Sequence, residues 1–170
     1  MVLDEQFNTI ERSHSALQTD FPYVPGFLAF REGPSIILAY KLLRRKPDLL
    51  MIDGCGINHP RFAGLATHIG VSLDIPTIGV AKNLLCGIPR GEPREVGGYA
   101  TVIYGGREVG AIIKTKENCR PIVVAPGHRI SLHSSIEIAK RFLRGHKLPE
   151  PVRAAHLYAN ELAKKAAKNP

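Results

Sequence analysis

The sequence has no apolar run approaching the ~20 residues needed to cross a bilayer, so no helical membrane span and no membrane partner are expected. Its start, Met1-Val2-Leu3-Asp4-Glu5, shows no basic segment followed by an apolar stretch; no secretory signal is read, and the expected compartment is the cytoplasm. Cysteine is scarce. Cys55, Cys86 and Cys119 form an odd set with no Cys-x-x-Cys pair, which argues against a disulfide framework and against a four-thiolate zinc site. The interval from Cys55 to His59 leaves two readings open: a pair of metal ligands, or a small buried thiol beside a histidine with its own task. No internal repeat, low-complexity stretch or P-loop is present. The 170 residues suffice for one domain with a core of its own, and residues 1–170 are read as a single domain.

What the chain does have is positive charge: a formal net charge of +8 and an isoelectric point near 9.6. A polyanionic partner held through its phosphates would use such a balance, but so would simple solubility. The charge is spread over Arg44-Arg45-Lys46, over Arg141, Arg144 and Lys147, and over Lys164, Lys165 and Lys168. Runs this short are ordinary solvated faces, so only the total carries weight.

Punctuation along the chain predicts an α/β order. Val2 to Ile10 reads as a strand or hairpin arm, and Leu17 to Gly33 as turns. Pro34 sits where a helix should begin, with Ile36, Ile37, Tyr40 and Leu43 at helical spacing up to Arg44-Arg45-Lys46-Pro47. Leu49-Leu50-Met51-Ile52 has no alternation, as expected of a strand buried on both faces. A helix is predicted over Arg61–Leu73 and a strand over Thr77–Ala81. Gly87 to Gly98 reads as a loop. Tyr99–Tyr104 and Val109–Thr115 flank Gly105-Gly106 as a hairpin, and Ile122–Ala125 is a further strand. Ser134-x-x-Glu137 opens a helix running to Arg144, with Gly145 beyond it, and a last helix spans Pro151–Lys165. Strands and helices in this order imply a mixed sheet flanked by helices.

Asp53 is the most informative carboxylate. It ends an apolar strand, read as a central one, and precedes Gly54-Cys55-Gly56-Ile57-Asn58-His59-Pro60, at the carboxyl end of the strand, outside which ligands gather in open α/β sheets. As a purely structural residue it would cap the following helix. Gly54 and Gly56 begin a dinucleotide fingerprint, but His59 stands in the third glycine position and no suitable acid follows, which leaves that reading weak. Glu32 either meets a helix N-terminus or joins Asp53 to hold Mg²⁺, a cation that takes oxygen ligands. Lys82 follows a buried strand on the same rim, available to a phosphoryl oxygen or to water. Tyr23, braced by Pro22 and Pro25, is a candidate for stacking on or wedging between bases, or for plain packing. His156 lies in the last helix.

Taken together these stretches resemble endonuclease V, the deoxyinosine 3′ endonucleases. The resemblance runs from about Phe21 to Leu162. It is carried by Phe21-Pro22-Tyr23-Val24-Pro25-Gly26 leading to Phe30-Arg31-Glu32, by Asp53-Gly54-Cys55-Gly56 with His59-Pro60-Arg61, and by Pro76-Thr77-Ile78-Gly79-Val80-Ala81-Lys82. Gly127-His128 and Pro149-Glu150-Pro151 with His156 complete it. The resemblance implies an RNase H-like fold and a Mg²⁺-dependent phosphodiesterase, with Mn²⁺ as an alternative cofactor. It implies cleavage of the second phosphodiester bond 3′ to a deaminated purine, leaving 3′-hydroxyl and 5′-phosphate ends. Asp53 and Glu32 match acidic metal-site positions, His156 a late histidine that completes that site, and Lys82 a lysine near the scissile phosphate. Tyr23 and Pro25 match a wedge that fills the space of a displaced base. Gly56, His59, Arg61 and Gly64 match positions near the lesion pocket, where backbone groups would read hypoxanthine.

The same resemblance implies an aspartate in a first strand of the Val-Asp-Val-Ser-Tyr kind, well ahead of the Tyr23 turn. Asp4 lies early but its neighbours do not match, and the chain is read as beginning in the family's second strand, with the first strand missing. Three expectations follow: an active DNA-repair endonuclease on inosine-containing DNA, with inosine-containing RNA as a further partner; a module that binds inosine without cutting; or an inactive remnant. A monomer is expected in each case.

Overall fold

The computed structural model describes residues 1–24 and 26–168. A short hairpin of β1 (Val2–Leu3) and β2 (Thr9–Glu11) comes first and pairs only with itself. An extended stretch then runs along α1 (Leu28–Leu42), where the Ser13 and Ser15 hydroxyls donate to the carbonyls of Ala39 and Ser35. The Glu11 carboxylate accepts the backbone N–H groups of Arg44 and Arg45, both at 2.9 Å, just past the end of α1. Next come β3 (Leu50–Asp53), α2 (Leu65–Leu73), β4 (Thr77–Ala81), β5 (Ile88–Pro89), β6 (Tyr99–Tyr104), β7 (Arg107–Ile113), β8 (Ile122–His128), α3 (Leu132–Arg141) and α4 (Glu150–Lys168).

Six strands form one sheet in the order β3-β4-β8-β7-β6-β5; β3 and β4 are parallel and every other pair is antiparallel. This is the mixed sheet flanked by helices that the element order implies. The two-residue turn at Gly105-Gly106, with φ of +57° and +74°, closes the β6–β7 hairpin; two successive positive φ values are what a strand-matching tight turn requires and what glycine adopts without strain. On one face Ile78, Val80, Ala111, Ile113, Ile122 and Val124 pack with Ile136 and Ala139 of α3 and Val152 of α4. On the other, Ile52 packs with Leu65, Ala66 and Ile69 of α2, and α1 lies over them through Leu28, Ala29, Ile36 and Ile37. Alternation along β4 divides the two layers, as period-2 geometry demands. No helix among the described residues is long and apolar enough to cross a membrane.

Several boundaries differ from the sequence reading. The first long helix begins at Leu28, so Pro34 lies inside it and Glu32 belongs to the helix instead of preceding it. Proline costs the helix one backbone hydrogen bond, but starting six residues earlier buries Gly33 and packs Leu28 and Ala29. The second helix starts at Leu65, because residues 60–64 turn sharply, with Phe62 at φ +54°. The segment at Gly87–Gly98 contains β5, which pairs with β6. The cap of α3 is Ser131, whose hydroxyl accepts from Ser134 N–H at 3.0 Å, and the helix stops at Arg141, before Gly145.

Candidate functional site

The parallel pair β3–β4 decides where chemistry can occur. Asp53 stands opposite Val80, and the ladder runs one step further, with Gly54 N–H donating to the Val80 carbonyl at 2.9 Å. Beyond that point the two chains part, one into the Gly54–Gly64 loop and the other through Lys82 toward Leu85. The gap between them opens as a cleft of about 390 Å³ whose lining includes Asp53, Lys82, Tyr23, His59, Gly64 and Leu28. Cleft formation at the carboxyl ends of parallel strands is the expected consequence of this topology.

Asp53 is exposed at the strand end. Glu32 sits one helical turn after Leu28 and Ala29, both of which line the cleft, so its side chain belongs to that same face of α1. Its carboxyl is held above the ordinary range, first by partial burial among its neighbours and then by the nearby Asp53 carboxylate. Two carboxylates close enough to repel form an anionic site made of hard oxygen donors. That donor set suits Mg²⁺, which keeps most of its waters and commonly takes one or two protein carboxylates.

The Gly54–Gly64 loop is built from polar groups turned inward. Asn58 is 1% exposed, and its Oδ1 accepts Gly56 N–H at 2.8 Å. Gly56 is pressed against β8: a Cβ there would lie 2.0 Å from the Pro126 carbonyl oxygen, a contact no side chain can relieve. His59 is buried. Its Nδ1 accepts the Arg61 backbone N–H at 3.1 Å, so the ring proton sits on Nε2 and donates to the Gly26 carbonyl at 3.2 Å. Burial is the main reason its pKa falls below the ordinary value, with Arg61 adding to the effect against the Gly26 hydrogen bond. A neutral imidazole with both nitrogens engaged has no lone pair left for a metal. The Cys55 thiol, pushed up to about 11 chiefly by burial and further by Cys86, stays protonated at neutral pH. The metal-pair reading of Cys55 and His59 therefore gives way to that of a half-buried, protonated thiol beside a histidine that holds its own loop.

Arg61 reaches the same carbonyl: its guanidinium donates to Gly26 O and lies 4.1 Å above the Phe27 ring. His59 and Arg61 thus fasten Gly26 to the Asp53 loop. Tyr23, 72% exposed, stands at the mouth of the cleft.

Of the residues singled out from sequence, Asp53, Lys82, Tyr23, His59 and Gly64 line one cleft, with Glu32 beside Asp53 and Arg61 behind the turn. Gly56 is buried against β8 and does not line it. His156 is exposed on α4, the helix that packs against β3. Among the described residues no three His, Cys, Asp or Glu side chains gather as a metal-holding group, so His156 does not join the two carboxylates. Pro25 lies outside the described residues. Sequence reasoning missed Asn58, whose signal was an asparagine placed to bond its own loop backbone, and the wall formed by Asn83, Leu84 and Leu85, which carries no motif.

The family model described as Endonuclease V matches residues 1–157. Endonuclease V of Protochlamydia amoebophila is 45% identical over 168 residues, which is 98% of this chain and 72% of that protein. The crystal structure of endonuclease V from Bacillus subtilis is 38% identical and superposes with a TM-score of 0.93 over 99% of this chain and 73% of that one. Endonuclease V of Ciona intestinalis, solved with a 24mer DNA containing an inosine followed by a ribo-adenosine, is 27% identical with a TM-score of 0.76, over 88% of this chain and 71% of that one.

Proposed function

The chain belongs to the endonuclease V family, and from that premise we propose that it hydrolyses DNA beside inosine, at the second phosphodiester bond on the 3′ side. The observation that carries this reading is the cleft lined by Asp53, Lys82 and Tyr23, with Glu32 near enough to Asp53 to feel its charge. Asp53 and Glu32 would hold Mg²⁺ or Mn²⁺; when bound, that cation neutralises charge on the phosphoryl oxygens and acidifies water. Water adds to phosphorus, the bond from phosphorus to the 3′ oxygen breaks, and 3′-hydroxyl and 5′-phosphate ends remain. The Lys82 ammonium, on the opposite lip from Asp53, offers a fixed positive charge to the phosphate as negative charge builds. Tyr23 fills the gap left when the lesion base leaves the stack, a displacement costing a few kcal/mol and less at a mispaired base. The glycine-rich loop at Gly64 lets backbone groups approach the base edge, while Asn58 and His59 keep that loop rigid.

The test is a nicking assay on a labelled duplex with a single inosine, run with Mg²⁺ and with EDTA. Cutting one nucleotide beyond the inosine is expected, with loss by orders of magnitude in Asp53→Asn while binding is largely kept. Equal cutting of an adenine control, or wild-type rates in Asp53→Asn, would overturn the reading. Tight inosine-selective retention with no nick would select instead a protein that holds inosine without cutting.

A further inference from the structure

Three of the six phenylalanines, with Tyr23, fall within ten residues, Phe21 to Phe30, and none is buried. Phe30 is 55% exposed although it sits on α1, a helix with another face available for packing. The rings are arranged as a plate. Phe21 and Phe30 stack with centroids 5.8 Å apart and planes 28° apart, Phe27 lies 6.0 Å from Phe30 at 35°, and His68 of α2 borders Phe30 at 6.0 Å. Cations frame it: the Arg31 guanidinium donates to the Phe21 carbonyl, and the Arg61 guanidinium covers Phe27. The carboxylates nearest in sequence are Asp20 and Glu32, the latter beside Asp53. The plate also abuts the cleft, because Arg61 and His59 both bind the Gly26 carbonyl that joins Phe27 to the Tyr23 turn.

We infer that Phe30, backed by Phe21 and Phe27 and flanked by Arg31 and Arg61, is a stacking subsite for an unpaired base of the nucleic-acid strand just outside the cleft. Flat rings next to arginines are suited to nucleobases and phosphates together, since every base has a π face and each link of the strand an anion. A contiguous exposed aromatic patch marks an interaction surface, and this one continues into the site proposed above, on which the inference rests for its ligand. The occupant is a nucleotide not held in a duplex, because a paired and stacked base has no free face to offer.

The experiment uses the full chain in EDTA, so that strands stay uncut. Two oligonucleotides carry the same inosine. In one the neighbouring 2-aminopurine is unpaired opposite a gap, and in the other it is fully paired. Wild-type protein should quench the unpaired 2-aminopurine on binding. Phe30→Ala should abolish the quench and weaken binding of the gapped substrate about tenfold, with less than about a twofold change for the paired one. Phe30→Leu, which keeps an apolar side chain on the helix, should behave like Phe30→Ala, and Phe30→Tyr should restore the quench. Retained quenching in Phe30→Ala, or equal weakening on both substrates, overturns the subsite. An adenine control separates the two claims. If wild type does not distinguish inosine from adenine but the Phe30-dependent quench persists, the lesion reading fails and the subsite stands.

Discussion

On one face of the sheet Ile78, Val80, Ile113, Ile122 and Val124 are wholly buried under α3 and α4, whereas on the other α1 fully buries only Gly33 and leaves Phe27 and Phe30 in solvent. Both faces are parts of one sheet, and β4 contributes to each. The difference lies in what the covering helices are asked to do. Helices α3 and α4 close a core. Helix α1 carries Glu32 toward Asp53 and keeps its start level with the cleft, and a helix fixed by those demands cannot also rotate its aromatic side chains inward. The half with the smaller buried apolar cluster is the half with the proposed site, as expected when a site must stay accessible and adjustable.

The sharpest way to break this comparison is to truncate one residue in each half. Ile113→Ala, at a position with no exposure on β7, should cost about 2 to 5 kcal/mol, from lost transfer energy and the cavity left behind. Tyr23→Ala, on the cleft lip, should change stability by no more than about 0.5 kcal/mol while weakening binding to inosine DNA more than to undamaged DNA. Urea unfolding and binding titrations on the two variants would decide it. Similar destabilisation by both would mean that the cleft side bears the fold too.

The core half was also the more legible one in the sequence. The Gly105-Gly106 turn and the apolar stretch at Ile122–Ala125 each stated their structure locally and stand where local rules put them; the apolar run before Asp53 is a strand as read, but β3 is the edge strand of the sheet, with Leu50 and Met51 only half-buried, and not a strand buried on both faces. On the cleft half local rules misled. Pro34 looked like a helix start, yet α1 begins at Leu28, because packing of Leu28 and Ala29 against α2 and β3 outweighs one missing hydrogen bond. The role of Gly56 was visible only as a need for glycine; the cause is a carbonyl seventy residues away, at Pro126, which no local pattern carries. Asp53, Lys82 and Tyr23 could be picked out because strand ends and braced turns are written in sequence. That Glu32 faces Asp53, and that His156 does not gather with them, depends on how helices lie over the sheet.

A second test sharpens the electrostatic side of the comparison. Glu32 has a raised pKa in the folded chain, so its penalty is absent below the ordinary glutamate range and grows as pH rises through the folded value. At neutral pH the metal-free protein should therefore gain stability from Glu32→Gln, a small gain because the group is partly in solvent. Saturating Mg²⁺ should do more for wild type, about 2.7 kcal/mol at a hundredfold excess over Kd, and almost nothing for Glu32→Gln. Thermal melts with Mg²⁺ and with EDTA measure both; an equal Mg²⁺ response in the two proteins would remove Glu32 from the cation site.

The smallest expected effect concerns the joint between the halves. Asp74 ends α2 in the left-handed conformation, φ +50°, and its carboxylate accepts from His128 Nε2 at 3.1 Å and from the Arg129 guanidinium at 2.9 Å, tying the cleft-side helix to the end of β8. The His128 hydrogen bond first, and the Arg129 charge next, hold its pKa below the ordinary aspartate range. A depressed folded pKa contributes stability that is present above the ordinary value and disappears as pH falls through the folded one. Because the group is fully exposed, screening keeps the contribution small. Asp74→Asn isolates it, since asparagine also tolerates the left-handed backbone and so keeps the helix end intact. Melts from pH 7 down to about pH 3 should show the wild type losing its advantage over Asp74→Asn only at the acid end. A constant offset at every pH would assign the effect of residue 74 to backbone geometry, and the charge pair would then contribute nothing to holding the two halves together.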